Sequence, residues 1–335
     1  MLFSKNRRFL FIGILIAISI LVSLLSLGVG SAEFNPFTAI LDFIYGESSI
    51  SSTILFKIRF PRVLLAFGVG GALSISGVLL QGLFRNDLVE PYTLGISGGA
   101  SLGVATAIAL GLKSYFYGQF ITVAGFIGAI VSIALVYTIS SRSRKITTGS
   151  MLLAGVMVSF ISSSLVMFIM ATSKSEDLQG IIFWIMGSLD TTDINISLYF
   201  LLFSFIILIA SFYYTRLLNA LQIGEEEAFY LGFDIQNSKK IIFILASMLT
   251  GVAVSLAGVI GFVGLVIPHL MRSLSGTDNR FLLFSSFFAG ASFLVISDTI
   301  ARVIISPLEL PVGVITGIIG GGLFVYAIWK GKLSL

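Results

Sequence analysis

Few residues of this 335-residue chain could do chemistry, and they are scattered. There is one histidine, His269, preceded by Pro268, and there is no cysteine. A metal centre needs several converging ligands, and His269 has no second His and no Cys to join it. The same scarcity excludes a histidine-based triad, a cysteine nucleophile and a disulfide framework. No G-x-x-x-x-G-K-[ST] loop occurs, so ATP has no phosphate cradle of that kind. What remains is ionic. Asp298 and Arg302 stand four apart, which on a helix puts them on one face where they neutralise each other. Arg59 and Arg62 flank Pro61 in the string RFPR. Glu225, Glu226 and Glu227 follow Gly224, an arrangement that suits a helix start, where the dipole favours negative charge. A Ser–Lys pair or an aspartyl dyad would need Lys or Asp deep within an apolar stretch, and none is so placed.

The elements that must position these groups lie in a bilayer. The chain is 56% hydrophobic and 11% charged, with a mean hydropathy of +1.05. A soluble domain carries about 25% charged residues, so this chain cannot cover a water-facing surface. Soluble enzymes, nucleic-acid binders and secreted domains are excluded. Apolar stretches suited to spanning run over 9–32, 63–84, 91–112, 114–141, 146–173, 194–215, 241–271, 281–297 and 310–329. No period-two alternation suggests strands. The basic start followed by about 20 apolar residues, with no A-x-A site, is the first transmembrane helix rather than a signal peptide.

The stretch 241–271 is too long for one span. With its flanks, over 237–276, it divides into two short spans turning near Gly258 and Gly261. Charge supports that division. With ten spans and a cytoplasmic N-terminus, 14 of the 20 Lys and Arg fall inside; with nine the bias vanishes. Arg59, Arg62 and Arg302 then lie outside, against the bias, so an acidic partner docking there is a reasonable hypothesis. Residues 72–79 (ALSISGVL) and 253–260 (AVSLAGVI) hint at an inverted repeat. The segment 217–240 is the longest polar one inside. It accommodates two short surface helices, with Leu221, Ala228 and Leu231 compatible with one face.

Seven strings together resemble the FecCD family, BtuC-type permease subunits of binding-protein-dependent ABC importers. They are RFPR at 59–62, SGVLLQGLFRNDLVEPYTLGISGGASLG at 76–103, LLAGV at 152–156, FWIMGSL at 183–189, LNALQIGEEEAFYLG at 218–232, GVIGFVGLVIPHLMR at 258–272 and ELPVGVITGIIGGGLFVY at 309–326. The resemblance implies an all-α, polytopic bundle of about ten transmembrane helices, a type II importer permease forming a single domain over 1–335. It implies a non-enzymatic subunit that binds no cofactor of its own and works with ATP on a partner chain. Its partners would be two ABC ATPase subunits, an extracytoplasmic substrate-binding protein and a second permease, identical or related, with lipid around them and no nucleic acid. The cargo would be an iron(III)-siderophore, or alternatively vitamin B12 or another cobamide, haem, or molybdate. An ion-coupled carrier and an intramembrane enzyme are the competing classes. The location would be the cytoplasmic membrane of a prokaryote, with both termini cytoplasmic.

By the same likeness Gly224, Glu225, Glu226, Ala228, Leu231 and Gly232 belong to the ATPase contact within the coupling loop 217–240. Arg59, Arg62 and Arg302 match positions that dock the binding protein. Thr147, Thr148 and Gly149 lie at the cytoplasmic gate. Two positions depart from the family pattern. Asp87 replaces the proline of RNPL, and Gly149 stands where some members carry a hydroxyl residue.

Overall fold

The structure, a computed structural model, describes residues 5–30, 35–45, 49–112, 119–141, 148–190 and 193–330. The regular structure of these residues is helical, apart from one isolated bridge, Ile305 to Leu308. α1 (Lys5–Gly28) is followed by the short α2 (Pro36–Tyr45). α3 (Ile50–Thr53) passes through a π-helical turn, Ile54–Arg59, into α4 (Phe60–Phe84). A 3-10 turn, Pro91–Leu94, leads to α5 (Ile96–Ala109), then α6 (Gln119–Ser141) and α7 (Thr148–Thr172). α8 (Ser175–Ile185) lies between α7 and α9 (Ile194–Phe212). The hairpin α10 (Thr215–Ile223) and α11 (Glu225–Tyr230) precedes α12 (Ile235–Ala257). α13 (Val263–Ser275), α14 (Asn279–Val303) and α15 (Val312–Trp329) complete the chain.

Local chemistry sets many of these boundaries. Asp193, Asp234 and Asp278 accept backbone N–H groups at the starts of α9, α12 and α14, satisfying donors that lack an intrahelical partner. Gly258 and Gly276 end α12 and α13 at φ +68° and +92°, a region that glycine enters without steric strain.

Eight helical stretches among the described residues are long and apolar enough to cross a bilayer: α1, the continuous Ile50–Phe84, α6, α7, α9, α12, α14 and α15. A count of ten is reached when α5 and α13, of 14 and 13 residues, are taken as the third and eighth crossings. At 1.5 Å per residue each is about 20 Å long, short of a hydrocarbon core of about 30 Å. The chain that precedes them is not α-helical: residues 85–95 before α5, which include the 3-10 turn Pro91–Leu94, and 258–262 before α13. The long stretch 241–271 is therefore divided at 258–262, where the sequence places the turn. The octapeptide likeness does not extend to local structure. Residues 72–79 lie inside α4, whereas 253–260 run off the end of α12.

α4 is the hub. In its most apolar window 89% of the residues are buried by the chain itself, against 11% in α1. Glycines make this possible by letting backbones approach. Gly70 faces Gly290 of α14, Gly77 lies on the Gly264 carbonyl of α13, and Gly71 receives the Phe287 ring. Gly77→Val would drive a methyl group into the Gly264 carbonyl. We expect a loss of about 3 kcal/mol in detergent, read by tryptophan fluorescence on heating, while Gly317→Val, which meets open space, leaves the transition unchanged.

Candidate functional site

The groups singled out by sequence gather at the two ends of the bundle. At the end where α4 begins, four ionic side chains form one buried cluster. Asp298 of α14 is 1% exposed, and Arg59, Arg62 and Arg302 are 4%, 6% and 3% exposed. Arg62 Nε donates to both Asp298 oxygens, at 3.0 and 3.2 Å, and Arg302 Nε lies 3.1 Å from Asp298 Oδ2. The four-residue pairing read from the sequence is thus present, but it is shared with α4. Arg62 Nη1 donates to Glu309 Oε2 at 2.6 Å, and Glu309 is the exposed member, with 39% of its side chain accessible. Arg302 also donates to Ser26 Oγ (2.8 Å) and the Val29 carbonyl (3.0 Å), and Arg59 donates to the Leu27 carbonyl (3.1 Å). These bonds fasten α1 to the bundle. The three arginines therefore turn inward and brace α1, α4 and α14, rather than standing free at the surface as their loop-edge positions suggest.

At the other end α10 and α11 form the hairpin expected of segment 217–240. Gly224 joins them in extended backbone, and Gly232, at φ +86°, closes α11. Glu225, Glu226 and Glu227 occupy the first turn of α11, as their run predicts. The single face proposed for Leu221, Ala228 and Leu231 is not formed. The break at Gly224 puts Leu221 and Ala228 into the core, at 1% and 0% exposure, while Leu231 is 64% exposed. Ala228 is therefore a packing residue. Glu225 is engaged internally, with Oε1 2.7 Å from Lys239 Nζ and 3.9 Å from Arg85 Nη2.

The surface that the hairpin does present was missed in part. Ile223, Phe229 and Tyr230 are exposed together with Leu231, beside a notch of about 900 Å³ lined by Glu225, Glu226, Phe233 and Ile235 among others. The signal was available: four large apolar side chains in a polar segment. α10 is tied to the start of α14. Asn219 Nδ2 donates to Asp278 Oδ1 (2.9 Å), Asn279 Nδ2 donates to Asn219 Oδ1 (2.8 Å), and Gln222 Nε2 donates to the Thr277 carbonyl (3.2 Å).

Of the three gate positions, Thr147 lies outside the described residues. Thr148 begins α7, and Gly149 is exposed with open space around it. His269 is buried midway along α13, with Nδ1 4.0 Å from Asp87 Oδ2, too far for a hydrogen bond. Among the described residues no cluster of His, Asp or Glu is arranged to hold a metal. Asp87 binds Arg272 instead, at 2.7 Å. Glu90, between α4 and α5, extends to the non-helical bend before α13 and accepts the Phe262 N–H at 2.7 Å.

The chain belongs to the FecCD transport family, which matches residues 15–330. It is 36% identical over 324 residues to the hemin transport system permease protein HmuU of Yersinia pestis, covering 93% of this chain and 94% of that one. It is 36% identical over 313 residues to the vitamin B12 import system permease protein BtuC of Vibrio vulnificus, covering 93% and 92%. A solved structure described as an inward-facing conformation of a metal-chelate type ABC transporter superposes with a TM-score of 0.82 at 29% identity, over 96% of this chain and 99% of that one. The protein is thus an ABC importer permease of the FecCD type, as its motifs indicate.

The ion cluster yields a test. Asp298→Asn leaves two buried guanidinium groups without their shared anion, and we expect a loss of about 3–5 kcal/mol on thermal unfolding in detergent. Replacing the set together, Asp298→Leu with Arg62→Met and Arg302→Met, should recover most of it. An unchanged transition in Asp298→Asn would mean that the cluster does not brace the helices.

Proposed function

We propose that this chain moves a bulky metal chelate, an iron(III)-siderophore, across the cytoplasmic membrane of a prokaryote. It does so without altering the cargo, as one half of a permease dimer of identical or related chains. Two ATPase subunits, one at the α10–α11 hairpin of each permease chain, supply the energy. The observation that carries this reading is the exposed apolar patch of Ile223, Phe229, Tyr230 and Leu231, on a chain that has no phosphate loop of its own. An apolar patch at an aqueous end marks a partner surface. ATP, bound by the partner, favours one of two conformations and so shifts the bundle between outward and inward openings. Both termini face the cytoplasm in this reading, in line with the distribution of Lys and Arg. Thr147, Thr148 and Gly149 form part of the cytoplasmic gate. Haem and vitamin B12 are the alternative cargoes, because relatives are named for each; molybdate remains a third.

The external binding protein docks where Arg59, Arg62 and Arg302 cluster. Since these are buried, the group it meets first is the exposed Glu309, which occupies Arg62. Acidic side chains of the partner then compete with Glu309 for that guanidinium. Glu309→Gln should raise the affinity for the binding protein on the order of threefold at low salt, and unchanged affinity would remove the cluster from the interface.

The coupling surface is tested by alanine replacement of Phe229, Tyr230 and Leu231 together. We expect loss of co-purification with the ATPase by at least about tenfold, since anchors of this kind contribute about 1–2 kcal/mol each, with insertion and melting preserved. Retained co-purification would overturn the assignment.

A further inference from the structure

Residues 85–92 run alongside α13 and are fastened to both of its ends. Near the C-terminal end of α13, Arg272 Nη1 lies 2.7 Å from Asp87 Oδ1, and Arg272 Nη2 donates to Gln81 Oε1 at 3.2 Å. At the N-terminal end, Phe262 N–H donates to Glu90 Oε1 at 2.7 Å, and Ile260 N–H donates to Tyr92 Oη at 3.1 Å. The strap starts at Arg85, in the left-handed conformation (φ 51°), with its guanidinium 3.9 Å from Glu225 of the hairpin.

The Glu90 end lies at membrane depth. α13 reaches only about 20 Å inward from its Arg272 end, Gly264 packs on Gly77 well inside α4, and Phe262 packs on Gly320 well inside α15. Backbone that leaves the helix at such depth must find polar partners within the protein. Glu90 and Tyr92 supply them for the bend 258–262. The bend is also strained. Phe262 holds φ 69°, a left-handed conformation that a bulky residue adopts only when its surroundings impose it. Its backbone packs closely on α15, since even a methyl group on Gly320 would meet the Phe262 Cβ.

We infer that Glu90 is a positioning residue. Through it the strap 85–92 ties the α10–α11 hairpin to the strained bend at Phe262, and so to α15. Movement of the hairpin pulls on Glu225 and Arg85, then on a strap pinned at Asp87 and Glu90, and the bend shifts with it. This rests on the proposed role of the hairpin as the ATPase contact. Contiguity alone does not establish coupling, so two readouts are needed.

The first concerns the isolated full chain in detergent and requires no partner. Hydrogen exchange of the 258–264 amides should rise at least about tenfold in Glu90→Ala and little in Glu90→Gln, which keeps an acceptor oxygen. Unchanged exchange in Glu90→Ala would overturn the grip. The second uses the assembled complex in vesicles, this chain with its ATPase and binding-protein partners, and a radiolabelled iron(III)–hydroxamate chelate as probe. Glu90→Ala should lower ATP-driven uptake about tenfold while ATPase co-purification and ATP hydrolysis persist, and Glu90→Gln should restore most of the uptake. Wild-type uptake by Glu90→Ala, or a loss that only tracks lost folded protein or lost ATPase, would overturn the coupling role. A wild-type complex that moves no probe, with the exchange result intact, would count against the proposed function and leave the grip standing.

Discussion

Hydrocarbon offers a polar group nothing to bond with, and an unsatisfied backbone or charged group there is destabilising by several kcal/mol. The organisation of this bundle follows from that constraint. The α4 helix is surrounded by protein because its glycines let α13 and α14 approach its backbone closely. Charge enters the interior where it is matched, as Asp298 is by Arg62 and Arg302. Backbone leaves the helix at depth where side chains complete its hydrogen bonds, as Glu90 and Tyr92 do for residues 260 and 262.

These solutions divide the molecule by stiffness. One end is braced by ion pairs that join α1, α4 and α14. The other carries a small hairpin whose inner face is anchored by Ala228, Leu218 and Asn219 and whose outer face is apolar and uncovered. Between them, two crossings, through α5 and α13, are built from short helices and irregular chain. A transporter needs parts that hold and parts that shift, and broken helices buried in protein are places where a bundle can move without exposing backbone to lipid.

Much of the fold was legible in the sequence because membrane spans depend on length and apolarity alone. The ten crossings, the division of 241–271 and the Asp298–Arg302 pairing follow from hydropathy, charge bias and helical spacing. What was not legible depends on which segments meet in space. Arg62 reads as a loop-edge charge until α14 brings Asp298 to it. Glu90 stands between the apolar stretches 63–84 and 91–112, and nothing in its own segment shows that the bend before α13 needs an acceptor. Family likeness places Ala228 in the ATPase contact and spacing puts it on a face with Leu221 and Leu231, but neither reveals the break at Gly224 that sends it into the core and leaves Leu231 outside. Family motifs locate the hairpin, but only packing separates its buried residues from its exposed ones.

In the proposed function this chain is a conduit whose energy comes from another polypeptide. Vesicles containing the chain with its ATPase and binding protein, loaded with Mg-ATP at the hairpin face, test it most directly. Labelled chelate should accumulate against its gradient only when all the components and ATP are present. Uphill accumulation by vesicles holding this chain alone, driven by a proton or sodium gradient, would contradict it.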